Sequence, residues 1–255
     1  MNQALVVLLE SLIDYAGMYP PAALTVDQAV ANYTSYRRGK HMWALGRFVV
    51  PAAQLAAVPR GFPVTVVATD EMPDTEVIEI KAGNADAIER IARARGNRTV
   101  YVEVVNLALL ATIKAYRLRA KIRTGGTTAE AFPSVDSVVA FIRGCVELGV
   151  PFKATAGLHH PIRCVAALTY DAGAAEGTMH GFLNLFMASA LPEHAEKILL
   201  EDNVRAFAFD DGGFWWRDLR VPTEEIARVR QDVFVSFGSC SFEEPIADLK
   251  ELGWL

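Results

Sequence analysis

The sequence reads RAKIRTGG at residues 119–126, SVDSVVAFIRGCVELG at 134–149 and PFKATAG at 151–157. The outer two stretches are short β-like runs that each contain a lysine and end in glycine. The middle stretch is apolar at helical spacing, with Ser134 as a candidate N-cap and Gly149 as a stop signal. A strand, a helix and a second strand in this order predict two parallel neighbouring strands joined by a crossover helix.

The same alternation extends along the rest of the chain. Apolar runs bounded by Gly and Pro predict further strands at 12–19, 43–50, 63–69, 76–83, 99–105 and 205–210. Helices are predicted between several of them, most clearly at 84–96. Eight strands in 255 residues predict a single α/β domain over 1–255, a (β/α)8 barrel. An open doubly wound sheet is the alternative, because the connections 50–63 and 69–76 are too short or proline-rich for full helices, and DVFVSF at 232–237 could change the strand count.

Composition and charge restrict the class of protein. Hydrophobic residues make up 52% of the chain and the net charge is −5, which favours a large core and argues against nonspecific nucleic-acid binding. The three cysteines form no C-x-x-C motif, so a reducing cytoplasm is the expected location. The N-terminus lacks a basic region, and no apolar run approaches the roughly 20 residues of a membrane span. We expect a small-molecule substrate, no nucleic acid and no membrane, and the apolar residues leave a homo-oligomer open.

Charged residues in and after the predicted strands define the candidate site, since barrel active sites lie at the carboxyl ends of the strands. The candidates are Asp14, Arg47, Glu79, Lys81, Glu103, Lys121, Arg123, Lys153, His159, His160, Asp210 and Asp211. Neighbouring parallel strands bring Lys121 and Lys153 together, and both charge repulsion and desolvation lower a lysine pKa. A partly neutral lysine can attack a carbonyl carbon and form a Schiff base. Alternatively, Lys121 and Lys153 pair with Glu79 and Glu103 in a structural network.

The pair AKIRTGG and FKATAG resembles the two lysine strands of deoxyribose-phosphate aldolase, a class I aldolase on a (β/α)8 barrel, which read approximately K-T-S-T-G and K-A-S-G-G. The matching positions are Lys121, Thr124 and Gly125 in the first strand and Lys153, Ala154 and Gly157 in the second. The resemblance implies that Lys121 is the Schiff-base lysine and Lys153 the nearby cation that lowers its pKa. It covers only residues 120–157. Arg123 stands where the family has a small residue, and no Gly/Ser phosphate loop follows, which favours a carboxylate over a phosphosugar.

His159 and His160 follow a predicted strand and are candidate acid/base groups. One of them could also bind a metal together with acidic strand ends, although no H-x-H or H-E-x-x-H spacing is present. Cys240 is a candidate nucleophile without a cationic neighbour in sequence, and a lone cysteine is more often structural.

The leading interpretation is a lyase of the class I aldolase type that acts on a small carbonyl compound, with no cofactor and no metal. The alternatives are a metal-dependent lyase or hydrolase and a noncatalytic barrel that binds a ligand or partner. The predicted catalytic residues are Lys121, Lys153, Glu103 and His159, and the predicted substrate-binding residues are Arg123, Arg47, Glu79, His160 and Asp210.

Overall fold

The computed structural model describes residues 2–69 and 71–255. Its strands are β1 (Ile13–Tyr15), β2 (Leu45–Pro51), β3 (Val64–Ala68), β4 (Val77–Ala82), β5 (Thr99–Val104), β6 (Arg119–Arg123), β7 (Phe152–Thr155), β8 (Cys164–Ala167), β9 (Glu176–Met179), β10 (Phe207–Asp210), β11 (Gly213–Trp216), β12 (Leu219–Pro222) and β13 (Phe234–Ser239). Its α-helices are α1 (Gln3–Leu9), α2 (Val26–Tyr36), α3 (Ala85–Ala94), α4 (Leu110–Ala115), α5 (Val135–Leu148), α6 (Phe182–Ala190), α7 (Ala195–Leu200), α8 (Thr223–Asp232) and α9 (Glu243–Glu251).

Within these residues, the strands β1 to β7 and β13 close into a parallel barrel in the order β1-β2-β3-β4-β5-β6-β7-β13, with β13 returning to pair with β1. The predicted α/β barrel is therefore confirmed, and the open doubly wound alternative is wrong. Seven of the predicted strands overlap barrel strands. The connection from β2 to β3 carries only a short 3₁₀ helix, Ala52–Ala57, as its length predicts.

The eighth predicted strand, 205–210, forms as a strand, but it is not part of the barrel. Residues 205–210 contribute β10, which belongs to a separate antiparallel sheet with β11 and β12. That sheet packs against α1 and α8 on the outside of the barrel. The barrel is closed instead by β13, which comes from the stretch at 232–237 that could change the strand count. Both segments are short and aromatic, so propensity alone does not separate them.

The unit β6-α5-β7 shows how local signals build the barrel. The Ser134 side chain accepts a hydrogen bond from the Ser137 backbone N–H at 3.2 Å and caps α5, and Gly149 ends it with a left-handed φ of 61°. The buried face of α5 then packs on the barrel, where Phe141 contacts Phe152 of β7 edge to face at a centroid distance of 5.1 Å. This packing fixes the two lysine-bearing strands side by side, with Lys121 paired in register with Lys153.

In the part of the chain that the structure describes, no helix combines the length and apolar character needed to cross a bilayer.

Candidate active site

A cavity of about 270 Å³ opens at the carboxyl ends of the barrel strands. Its polar walls are formed by Glu79, Glu103, Lys121, Arg123, His159 and Cys240. These side chains come from β4, β5 and β6 and from the segments that follow β7 and β13, so they are brought together only by closure of the barrel. The position is the one where barrel enzymes carry their active sites.

Lys121 lies in the cavity wall between two carboxylates. Its Nζ is 2.9 Å from Oε2 of Glu79 and 3.0 Å from Oε2 of Glu103. The side chains reach one another because Glu103 is the register partner of Lys121 on the neighbouring strand, and Glu79 lies on the next strand across. Lys121 is 6% exposed, and that small exposed surface faces the cavity.

Lys153 is fully enclosed on the other side of Glu79. Its Nζ is 2.5 Å from Oδ2 of Asp14 and 2.7 Å from Oε1 of Glu79, and the Ser236 hydroxyl donates a hydrogen bond to the same Asp14 oxygen at 2.9 Å. Lys153 does not line the cavity, unlike Lys121. Glu79 therefore bridges the two lysines with its two oxygens, as the ion-pair alternative from the sequence describes.

The charges in this network reinforce one another. Burial alone would raise the pKa of Glu79, but the positive charges of Lys153 and Lys121 outweigh it and lower the pKa from 4.5 to about 2. Burial would likewise lower the pKa of Lys153, but Asp14 and Glu79 outweigh it and raise that pKa. The expected effect of two neighbouring lysines, a lowered pKa, is thus reversed at Lys153, because carboxylates lie between and around the two ammonium groups.

His159, Cys240 and Glu244 form a second cluster, which we name the thiol cluster. It joins the ends of β7 and β13 to α9, and its His159 and Cys240 line the cavity. The Nδ1 atom of His159 is 2.6 Å from Oε2 of Glu244, and its Nε2 atom is 3.9 Å from Sγ of Cys240. Burial would lower the pKa of His159, but its hydrogen bonds to Cys240 and Glu244 raise it from 6.5 to about 9. The imidazole therefore holds a proton at neutral pH.

Three of the predicted substrate-binding residues lie elsewhere. Arg47 is near the amino end of β2, where its backbone N–H donates to Asp14 at 2.7 Å and its guanidinium contacts Glu76 at 3.2 Å. It lines a depression at the amino ends of the strands, opposite the cavity. Asp210 is exposed on the antiparallel sheet, and His160 turns to α9, with Nδ1 2.6 Å from Asp248. The placement of all three in the substrate pocket is corrected accordingly.

Arg123, Glu79, Glu103, Lys121 and His159 do line the cavity, as the sequence predicts for the strand ends. Sequence reasoning missed Glu244, set Cys240 aside, and placed Lys153 in the pocket that it does not reach.

Close packing explains why glycines follow the two lysine strands. A Cβ atom added to Gly125 would lie 2.8 Å from Cα of Gly157 and 2.6 Å from a ring carbon of Phe132, so β6 and β7 approach too closely for any side chain. Thr124 ties the two strand ends together by donating its hydroxyl to the Ala156 carbonyl at 2.7 Å. Ala156 and Gly157 both have left-handed φ values, 67° and 71°. This strained turn forms part of the cavity wall.

Across residues 2–69 and 71–255, no three His, Cys, Asp or Glu side chains are arranged so that they could hold a metal ion.

Comparisons with known proteins add little beyond the fold. No protein-family model matches the chain, and no curated protein matches it. Among solved structures, the chain is similar to FabK from Thermotoga maritima, with 13% identity over 96% of this chain and 94% of that chain and a TM-score of 0.41. It is also similar to a lysine/ornithine decarboxylase from Vibrio vulnificus complexed with cadaverine, with 13% identity over 60% of this chain and a TM-score of 0.36. The match spans about half, 49%, of that decarboxylase chain. At such identities and scores the likeness says nothing about substrate or reaction.

Proposed function

We propose that the protein is a lyase of the class I aldolase type, in which Lys121 forms a Schiff base with a small carbonyl substrate. The observation that carries this proposal is the position of Lys121. Of the two lysines on the neighbouring strands β6 and β7, Lys121 lines the cavity and Lys153 is sealed behind Glu79. An amine that attacks a carbonyl must reach it, so only Lys121 has the access that the reaction needs.

The two carboxylates beside Lys121 have different roles in this scheme. Glu79 contacts both lysines, and its pKa of about 2 makes it a poor proton acceptor. Glu103 is partly exposed to the cavity, and within the described residues Lys121 is its single ion-pair partner. Different environments assign different roles to neighbouring carboxylates in many enzymes. Glu103 is therefore the group that takes the proton from the Lys121 ammonium.

The reaction then proceeds with groups that are present in the cavity. Once Glu103 holds the proton, the Nζ lone pair of Lys121 attacks the carbonyl carbon and gives a carbinolamine. His159, which is protonated at neutral pH and lines the same cavity, is the acid that donates a proton to the departing oxygen. Loss of water leaves the imine, which draws electrons from the bond that breaks.

The cavity restricts the substrate to a small molecule. A volume of about 270 Å³ lies just below the range of ordinary ligand pockets, which begins at about 300 Å³. Arg123 reaches into it with a guanidinium that makes a long contact, 3.5 Å, to the Gly125 carbonyl oxygen. Its donors suit a carboxylate, so a short 2-oxo acid or an aldehyde that carries a carboxylate is the expected substrate class.

Borohydride trapping tests the proposal. The protein is incubated with a panel of small aldehydes and 2-oxo acids, reduced, digested and mapped by mass spectrometry. We expect a reduced adduct on Lys121 and none on Lys153, and we expect Lys121→Met to abolish it. Lys81→Met is the matched control, because Lys81 is an exposed lysine of β4 outside the cavity. No adduct across the panel, or an adduct of equal yield in Lys121→Met, would contradict the proposal.

A noncatalytic ligand-binding barrel is the second candidate. The observation that favours it is the ion pairing of both lysines with carboxylates, which also suits a purely structural network. Saturable binding of a panel compound by calorimetry, without a trapped adduct at Lys121, would select this function over the lyase.

A further inference from the structure

The thiol cluster has the geometry of a nucleophile, a base and an orienting carboxylate. Cys240 Sγ, His159 Nε2 and Nδ1, and Glu244 Oε2 follow one another at 3.9 and 2.6 Å. The same order of thiol, imidazole and a third polar group recurs in acyl-transferring enzymes on unrelated folds, where it is recognised by geometry and not by sequence position. Both the sulfur and the imidazole face the cavity.

Two further contacts fit the cluster to this chemistry. Tyr170 covers it from outside: its hydroxyl donates to Glu244 at 3.0 Å and lies 3.5 Å from Cys240 Sγ.

We propose that Cys240, His159 and Glu244 form a second catalytic site on this cavity, in which Cys240 carries a small acyl group as a thioester. The acyl donors are activated esters or thioesters of short carboxylic acids, the size that the cavity admits. This activity does not depend on Schiff-base formation at Lys121, and either can exist without the other.

The reaction balances with groups on the cavity wall and with water. With the proton on His159 Nε2, the sulfur of Cys240 attacks the carbonyl carbon of the ester and forms the new C–S bond. The bond from that carbon to the leaving oxygen or sulfur breaks, and the leaving group takes the proton from His159. Water then attacks the thioester carbonyl carbon and gives one proton to His159. The C–S bond breaks with its electron pair on Cys240, and the acid leaves, which restores the starting pair. Glu244 orients the ring throughout as a positioning residue.

The chain contains its own controls for thiol reactivity. Cys145 is buried in α5, and burial raises its thiol pKa. Cys164, on β8, is more exposed than Cys240, but burial and the nearby Asp248 raise its pKa to about 11. Neither sulfur lines the cavity. If exposure alone governed reactivity, Cys164 would react first; the proposed site requires that Cys240 does.

The test uses p-nitrophenyl acetate as the acyl donor. Release of p-nitrophenolate is followed by stopped flow, and acid-quenched samples are mapped for acetylation. We expect a burst of about one product per chain, with acetyl on Cys240 at least tenfold faster than on Cys164. Cys240→Ser should lose the burst, and His159→Gln should slow it about 100-fold or more, the usual contribution of a general acid–base group. Cys164→Ser should keep the burst.

Further variants separate catalysis by the thiol cluster from general thiol reactivity and from the chemistry of Lys121. His160→Gln removes a matched histidine–carboxylate contact to α9 outside the cavity and should keep the burst. Lys81→Met, at an exposed lysine outside the cavity, should also keep it. Failure of the lyase proposal is distinguishable from failure of this one, because borohydride trapping reads Lys121 and acetyl mapping reads Cys240. Glu244→Gln should move the upper limb of the pH–rate profile down from about 9, because the raised His159 pKa depends on that carboxylate. Acetylation of Cys240 no faster than Cys164, or a burst unchanged in His159→Gln, would overturn the proposal.

Discussion

Replacement of Lys153 by methionine is predicted to cost about 3–5 kcal/mol of unfolding free energy at pH 7. The change removes a cation that is 1% exposed and leaves Asp14 and Glu79 buried without it. Removal of one partner from a buried ion pair generally costs about 3–5 kcal/mol. The pKa of Glu79 agrees in direction: Lys153 and Lys121 together lower it from 4.5 to about 2, so the ionised carboxylate is stabilised by these cations.

Urea unfolding at pH 7, followed by tryptophan fluorescence, measures this loss. Lys81→Met is the matched control, because it deletes a solvent-facing lysine of another barrel strand, β4. It should change stability by no more than about 0.5 kcal/mol. Addition of Asp14→Asn to the Lys153→Met chain should recover part of the loss, since it removes the carboxylate that has lost its ion pair with Lys153, whereas Glu79 keeps Lys121. A loss below about 1 kcal/mol in Lys153→Met would refute the view that these buried charges stabilise one another.

Two other predictions concern the same region. Gly157→Ala should destabilise the protein by about 1–3 kcal/mol more than Gly173→Ala in urea unfolding. Both glycines have left-handed φ values, but only at Gly157 does an added Cβ meet neighbouring atoms, Phe132 at 2.7 Å and Gly125 at 2.9 Å. Equal losses in the two variants would contradict this steric explanation. Glu79 has a lowered pKa, so its stabilisation is present above pH 4.5 and is lost as pH falls toward 2; Glu79→Gln should flatten this acid-side decline, and an unchanged decline would contradict the assignment.

The parallel barrel could be predicted because its signals are local. Ser134 and Gly149 mark the ends of α5, and the strands on either side carry their own glycine stops. Each such unit requires parallel neighbours, and their repetition leads to a barrel. Lys121 and Glu103 could be placed on neighbouring strands for the same reason, because β5 and β6 follow one another in the predicted order.

The same signals do not predict which end of the barrel a strand residue lies near. Arg47 and Glu79 both lie on barrel strands, but Arg47 is close to the amino end of β2, and its side chain reaches Val64 and Glu76 at the opposite end of the barrel. Lys153 is in register with Lys121, and yet only one of them faces the cavity. These differences of one or two residues arise from how far each strand is staggered against the next, and closure of the whole barrel determines the stagger.

Because the eighth barrel strand was assigned to the wrong segment, the sequence did not predict the thiol cluster. Assignment of that strand to 205–210 put Asp210 at the mouth of the barrel and left Cys240 in an unassigned tail, where no cationic neighbour was evident. With β13 as the closing strand, the segment after it lies beside the segment after β7, because β13 pairs with β7 in parallel. Cys240 and His159 then meet although they are 81 residues apart in sequence. The wrong closing strand therefore put Asp210 into the predicted site and left Cys240 out of it. The strand pairing alone, without any side-chain detail, is enough to correct both.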